Sequence, residues 1–274
     1  MSGPEHKEMS FLEHLEELRW HLVRSALAIT IFAIAAFVFK KIIFDEIVFA
    51  PGNKDFFTNR MLKHIGESIG MNLAINQGEI HIISRKMAGQ FYAHLIVSMI
   101  SGLIVAFPYV LYEIWSFISP ALYPKEKKYT RQIFFYSSFL FFTGVIFGYF
   151  VISPLTVHFF GYYSTSARVT NEPDIMSYIS TVASVVLASG IIFELPLLVY
   201  FLAKMGVITP GFLRKYRKHA FILTLLVSAI ITPPDIFSQL LVSLPLVVLY
   251  EVGIKIAKKV TVQETIKNNE SKTS

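Results

Sequence analysis

The amino-acid sequence predicts an all-α polytopic membrane protein: six transmembrane helices in a concave, cupped bundle, with helices two, four and six kinked and helices five and six short. Three observations carry the prediction. Hydrophobic residues make up 54% of the 274 and aromatic residues 15%, with a mean hydropathy of +0.54, too apolar for an ordinary soluble domain. A hydrocarbon core of about 30 Å takes about 20 helical residues to cross, and apolar runs near that length recur along the chain. The runs are continuous rather than alternating, which argues against a β-barrel.

The six runs cover residues 22–39, 95–118, 133–152, 179–203, 220–231 and 236–254. Before the first stands SFLEHLEELRWHL, where Ser10 followed by Glu13 fits a capping box and Phe11, Leu15, Leu18 and Leu22 line one face of an amphipathic helix. Pro108, Pro196 and Pro245 fall inside the second, fourth and sixth runs, where each removes a backbone donor and bends its helix; Pro51, in the FAP triplet beyond the first run, is counted as a further bend. Only TPPD separates the short fifth run from the sixth, so the two form a tight hairpin that thins the bilayer or stops below its far surface. The whole chain, 1–274, then forms a single six-span membrane domain. It carries a cytoplasmic N-terminal helix over 1–21, a long periplasmic loop over 40–90 that caps the outer face, and a polar, disordered cytoplasmic tail over 255–274. Alternation in GEIHIISR, within the long loop, predicts a short strand.

An even number of spans puts both termini on one side. Of the 25 lysines and arginines, 17 lie on the side of the termini, and seven of the other eight are in the long loop, where charge governs orientation less. Both termini are therefore predicted to be cytoplasmic. The net charge of +6 arises from this bias and is not a nucleic-acid footprint. Residues 1–21 hold five acids against two bases, the reverse of a cleaved leader, so the first span is expected to stay attached. The absence of cysteine excludes disulfides, thiol chemistry and cysteine metal sites. With no GxxxxGK[ST], HExxH or nucleophile elbow either, the sequence predicts no enzyme, cofactor or metal centre.

The polar residues near and within the runs need explaining. Glu16 can pair with Arg19 at i,i+3 spacing. Glu17 has a like charge four residues before it and only His21 four residues after it, so it is an acid without a strong local partner. Glu126 is the one acid among Lys125, Lys127, Lys128 and Arg131. Solvation for the first and a weak surface pair for the second are the plainer readings, yet two carboxylates at the cytoplasmic edge could together grip a ligand with two positive groups. Glu194 lies within the fourth run, where a charge costs at least about 2.5–3.5 kcal/mol, and is a functional candidate by default. Asp235 and Gln239 are four residues apart at the entry to the sixth run, with Asp235 placed to cap that helix. Glu113 and Glu251, near cytoplasmic ends of their runs, are expected to snorkel to the interface.

HLEELR before the first span, FAP after it, FPYVLYEIWSFISPALYPKE from the second span into its loop, FELP in the fourth and TPPDIFSQ between the fifth and sixth are together specific in order and placement. Over nearly the whole chain they resemble the TatC family, the polytopic core subunit of the twin-arginine protein translocase. The resemblance implies a cupped, six-helix receptor in the bacterial cytoplasmic (inner) membrane. Such a receptor binds twin-arginine signal peptides and assembles with single-span TatA-type and TatB-type proteins, and with further copies of itself, to export folded proteins using the proton-motive force. By position it implies that Glu17 and Glu126 recognise the paired arginines, with Arg19 and Phe117 as neighbouring functional positions. It implies that Glu194 engages partner subunits, with Asp235 and Gln239 in the turn before the sixth span. The chain departs from the pattern at His21, where the family often has a base, at Gly52, where it usually has leucine, and in its longer first outer loop. The alternative reading, a secondary transporter using Glu194 to couple protons or cations, calls for broken helices at mid-membrane and internal repeats, and the sequence shows neither.

Overall fold

The computed structural model describes residues 11–71, 73–76, 78, 80–118, 130–166, 168, 171–231 and 236–273. The regular elements of these residues are helical: α1 (Phe11–Val38), α2 (Phe57–Ile69), α3 (Gly89–Ile118), α4 (Thr130–Phe147), α5 (Ser153–Tyr162), α6 (Ile175–Phe193), α7 (Leu195–Lys204), α8 (Pro210–Lys215), α9 (Arg217–Ile231) and α10 (Ile236–Thr273). Two π-helical turns, Ile42–Val48 and Gly148–Ile152, and a 3₁₀ turn, Ala50–Gly52, join them. Among the described residues five stretches are long and apolar enough to cross a membrane: Leu15–Val38, Gly89–Phe117, Phe134–Tyr162, Ile175–Lys204 and Gln239–Thr261. The sixth expected span, α9, has 15 residues, about 22 Å of helix, and is short of the hydrocarbon thickness as its sequence predicts.

The chain divides into two compact units, Met1–Lys40 with His94–Ser138, and Lys41–Ala93 with Phe139–Ser274. In the first, α1 and α3 pack antiparallel. A Cβ added to Gly102 would lie 2.6 Å from the Ala33 nitrogen and 2.7 Å from the Ile29 oxygen, so the two backbones touch there and only glycine fits. Toward one end His94 stacks on Phe37 with ring centroids 3.9 Å apart, its Nε2 3.0 Å from the Phe37 carbonyl. Toward the other, polar side chains join the two helices.

In the second unit the third span runs from α4 through the π-turn into α5. The Ser153 backbone N–H and hydroxyl both donate to the Gly148 carbonyl, the hydroxyl at 2.9 Å, closing the wider turn. Gly144 and Gly148 press on Ser189 of α6, and a Cβ at Gly144 would meet the Ser189 oxygen at 2.5 Å. The fourth span bends at its proline as expected: α6 ends at Phe193, Glu194 stays in right-handed helical conformation between the two helices, and Pro196 stands in the first turn of α7. By contrast α3 and α10 run on through Pro108 and Pro245. Val199 and Ala203 of α7 pack on Leu213 and on Ile254, Ala257 and Val260 of α10, and a second core joins Ile152, Val185, Val242 and Leu246.

Two expectations are corrected. The GEIHIISR segment forms no ladder among the described residues; Ile83 makes a single parallel bridge with Asp174, whose chain turns at once into α6, leaving nothing for a strand to extend along. The tail is helical to Thr273 rather than disordered. Ile254, Ala257 and Val260 anchor it, and no glycine or proline follows Gly253 to stop propagation.

Candidate functional site

The polar end of the α1–α3 pair is built on one buried carboxylate. Tyr109, Glu113 and Phe117 follow each other at single-turn spacing on α3, and Glu17, His21 and Arg24 do the same on α1. The Glu113 side chain is only 4% exposed, and its Oε2 lies 2.5 Å from His21 Nδ1 and 3.9 Å from an Arg24 guanidinium nitrogen. The Tyr109 hydroxyl donates to the same carboxylate. An ionised Glu113 carboxylate only accepts, and this contact then requires the Nδ1–H form of His21. Ser25, buried one turn on, donates to the His21 carbonyl at 2.9 Å, and the His21 ring meets Phe117 edge-on at 6.0 Å. A carboxylate taken out of water costs several kcal/mol unless its lone pairs are filled; here side chains of two helices surround it.

Glu113 therefore does not snorkel. Its side chain is turned onto a face packed against α1, where a histidine and an arginine come to it. Glu251 stays half-exposed at the edge, 2.7 Å from Arg217.

Glu17, one turn before His21, and Phe117, one turn beyond Glu113, stand at the same end of the antiparallel pair, both half-buried. Glu16 pairs with Arg19 at 3.6 Å, as the spacing predicts, and Arg19 lies over the Trp20 ring, 5.5 Å from its centroid. Since His21 is engaged by Glu113, Glu17 has no ion-pair partner among the described residues. Glu126 lies outside the described residues, as does Asp235. Glu194 caps the junction of α6 and α7 and is half-buried. Gln239 sends its amide to the Leu225 carbonyl of α9 (3.2 Å), closing the last hairpin from within. Pro51 is buried, and its carbonyl accepts from the side-chain amides of Asn59 (3.5 Å) and Asn76 (3.2 Å). Asn76, at φ 52°, also donates to the Pro154 carbonyl (3.1 Å). Pro51 is thus a fixed point of the first loop. No group of three or more metal-binding side chains occurs among the described residues.

A family model described as "Sec-independent protein translocase protein (TatC)" matches residues 13–245 of the chain. The chain belongs to the TatC family. A TatC of Blattabacterium sp. subsp. Periplaneta americana is 41% identical over 256 residues, covering 92% of this chain and 96% of the relative. A TatC of Aquifex aeolicus is 35% identical, with 92% and 96% covered, and the TatCy of Bacillus subtilis 33% identical, with 92% and 89% covered. A crystal structure described as the twin arginine translocase receptor TatC is 34% identical, covers 91% of this chain and 100% of its own, and superposes with a TM-score of 0.66. TatC proteins are translocase components rather than enzymes, and the multi-pass helical fold expected from the sequence is the one found. His21, Tyr109 and Arg24 were not singled out as partners of Glu113 by sequence reasoning. The i,i+4 step Tyr109–Glu113 and the i,i+3 step His21–Arg24 were legible, but nothing along the chain shows which helix faces which.

Proposed function

We propose that this TatC-family chain is the signal-peptide receptor of a twin-arginine translocase, with both termini cytoplasmic in the bacterial inner membrane. Glu17 and Glu126 receive the two guanidinium groups, with Arg19 and Phe117 beside them. Glu194, with Asp235 and Gln239, offers polar groups to TatA-type and TatB-type partners, and the proton-motive force drives export of the folded passenger. The observation that supports recognition most is the state of Glu17: a half-buried acid left without an ion-pair partner among the described residues, at the end of α1 where Glu16 and Glu113 are both paired. An arginine arriving there completes a charge-assisted bond that the chain itself leaves open.

The test is site-specific cross-linking. A photo-reactive residue in place of Phe117 should capture a twin-arginine peptide, and capture should fall when the peptide's arginines are changed to lysine. Indifference to that change, or no capture in membranes where transport runs, would sink the proposal.

A further inference from the structure

Helix α2 divides lengthwise into three sectors. One is packed: Thr58, Asn59 and Gly66 are buried and Leu62 half-buried. The Thr58 hydroxyl donates to the Phe150 carbonyl, Asn59 donates to the Asn53 carbonyl at 2.6 Å, and a Cβ at Gly66 would sit 2.5 Å from the Met71 oxygen. A second sector, charged and polar, carries Arg60, Lys63, His64 and Glu67, all exposed. Between them runs a stripe of Phe57, Met61, Ile65 and Ile69, one side chain per turn and 58%, 42%, 44% and 58% exposed. The side of α2 that holds it to its own chain is thus largely polar or small, and its largest apolar side chains are left outside.

The position of the helix says what covers them. Phe56 stacks on Phe150 at 5.4 Å and meets Tyr149 edge-on at 5.6 Å, while Phe57 meets Phe150 edge-on at 6.2 Å. Phe150 lies 16 residues, about 24 Å of helix, beyond Phe134, where the third span begins, in the half of the span remote from that end. One turn before it Ile146 is an exposed apolar residue of that span. Through the Phe57–Phe150 contact the stripe adjoins the exposed apolar surface of that span. It is one side chain wide and about 18 Å long, too narrow for a stable protein interface, which takes about 800 Å² from each partner.

We infer that α2 is an in-plane membrane helix: its apolar stripe is immersed in the acyl chains of the leaflet at the Tyr162 end of the third span, and Arg60 and Lys63 lie at headgroup level. High amphipathicity with low overall hydrophobicity is the signature of helices that lie in, rather than cross, the interface. The long first loop is then clamped to the bilayer through α2 and to the protein through Pro51, Asn59 and Asn76.

The chain contains no cysteine, so single cysteines at Met61, Ile65, Lys63 and Glu67 can each carry a fluorescent label in the full-length protein, reconstituted in phosphatidylcholine–phosphatidylglycerol vesicles. Labels at 61 and 65 should be quenched at least about twofold more by acyl-brominated lipid than labels at 63 and 67, with aqueous iodide giving the reverse order, at every protein-to-lipid ratio. Equal iodide quenching at all four positions would overturn the inference. So would protection at 61 and 65 without bromolipid quenching, or protection that appears only at high protein density, since either would mean that protein covers the stripe.

Discussion

Glu113 accepts from Tyr109, contacts His21 at 2.5 Å and lies 3.9 Å from the Arg24 guanidinium, so the partners of this one residue help set how the first and second spans meet. Removing one donor leaves a buried acceptor partly empty, a loss of about 1–3 kcal/mol. His21→Ala should therefore lower unfolding stability in detergent by about that much, while His21→Arg, which restores a donor, should recover most of it; equal stability of wild type and His21→Ala would show that the contact is idle. A second polar residue stabilises by a different route. Asp174 caps α6, accepting from the Met176 amide at 3.1 Å and from the Arg85 amide at 3.0 Å, and these backbone donors, that of Arg85 first, hold its carboxyl below the usual carboxylate range. A lowered carboxyl contributes stability that is present above its unfolded value and lost as pH falls through its folded one. Wild type should therefore become more protease-sensitive around residues 83–86 only under acid below that range, whereas Asp174→Asn should be sensitive at neutral pH as well.

Among the elements, those whose character is written in local composition were legible, and those decided by a distant partner were not. The spans follow from apolar length, the brevity of α9 from the shortness of its run, and the Glu16–Arg19 pair from its spacing. The bend at Glu194 was legible from Pro196, which lacks the backbone donor of its turn. The strand expected in the long loop failed because alternation needs a neighbour to pair with, and Asp174 offers one residue before α6 begins. Gly102 gave no signal beyond being small, yet α1 and α3 touch through it. Gly102→Val should force them apart, at about the 1–3 kcal/mol typical of overpacking, read as a lower melting temperature in detergent. Gly211→Ala, where the nearest atom to an added Cβ is 3.8 Å away, should stay within about 0.5 kcal/mol of wild type.

For the whole molecule, family membership is established by a match over residues 13–245, whereas orientation and ligand come from charge bias and from the state of single acids. Orientation is checked with cysteines at two exposed positions: one at Glu172 should react with an impermeant maleimide from outside the cell, and one at Lys215 only after the membrane is opened. Partner docking separates from recognition in Glu194→Ala, which should keep peptide binding while losing partner cross-links; the opposite pattern would refute that assignment. Recognition itself is tested most directly by the affinity of the purified protein for a twin-arginine peptide. Each charge-assisted bond to a carboxylate is worth roughly 1.5–3 kcal/mol, so the Glu17→Ala, Glu126→Ala double variant should bind at least about a hundredfold more weakly than wild type. Glu16→Ala, which removes an exposed pair worth about 0–1 kcal/mol, should bind within about fivefold of it. Equal affinity of the double variant and wild type would contradict the recognition role of these two acids.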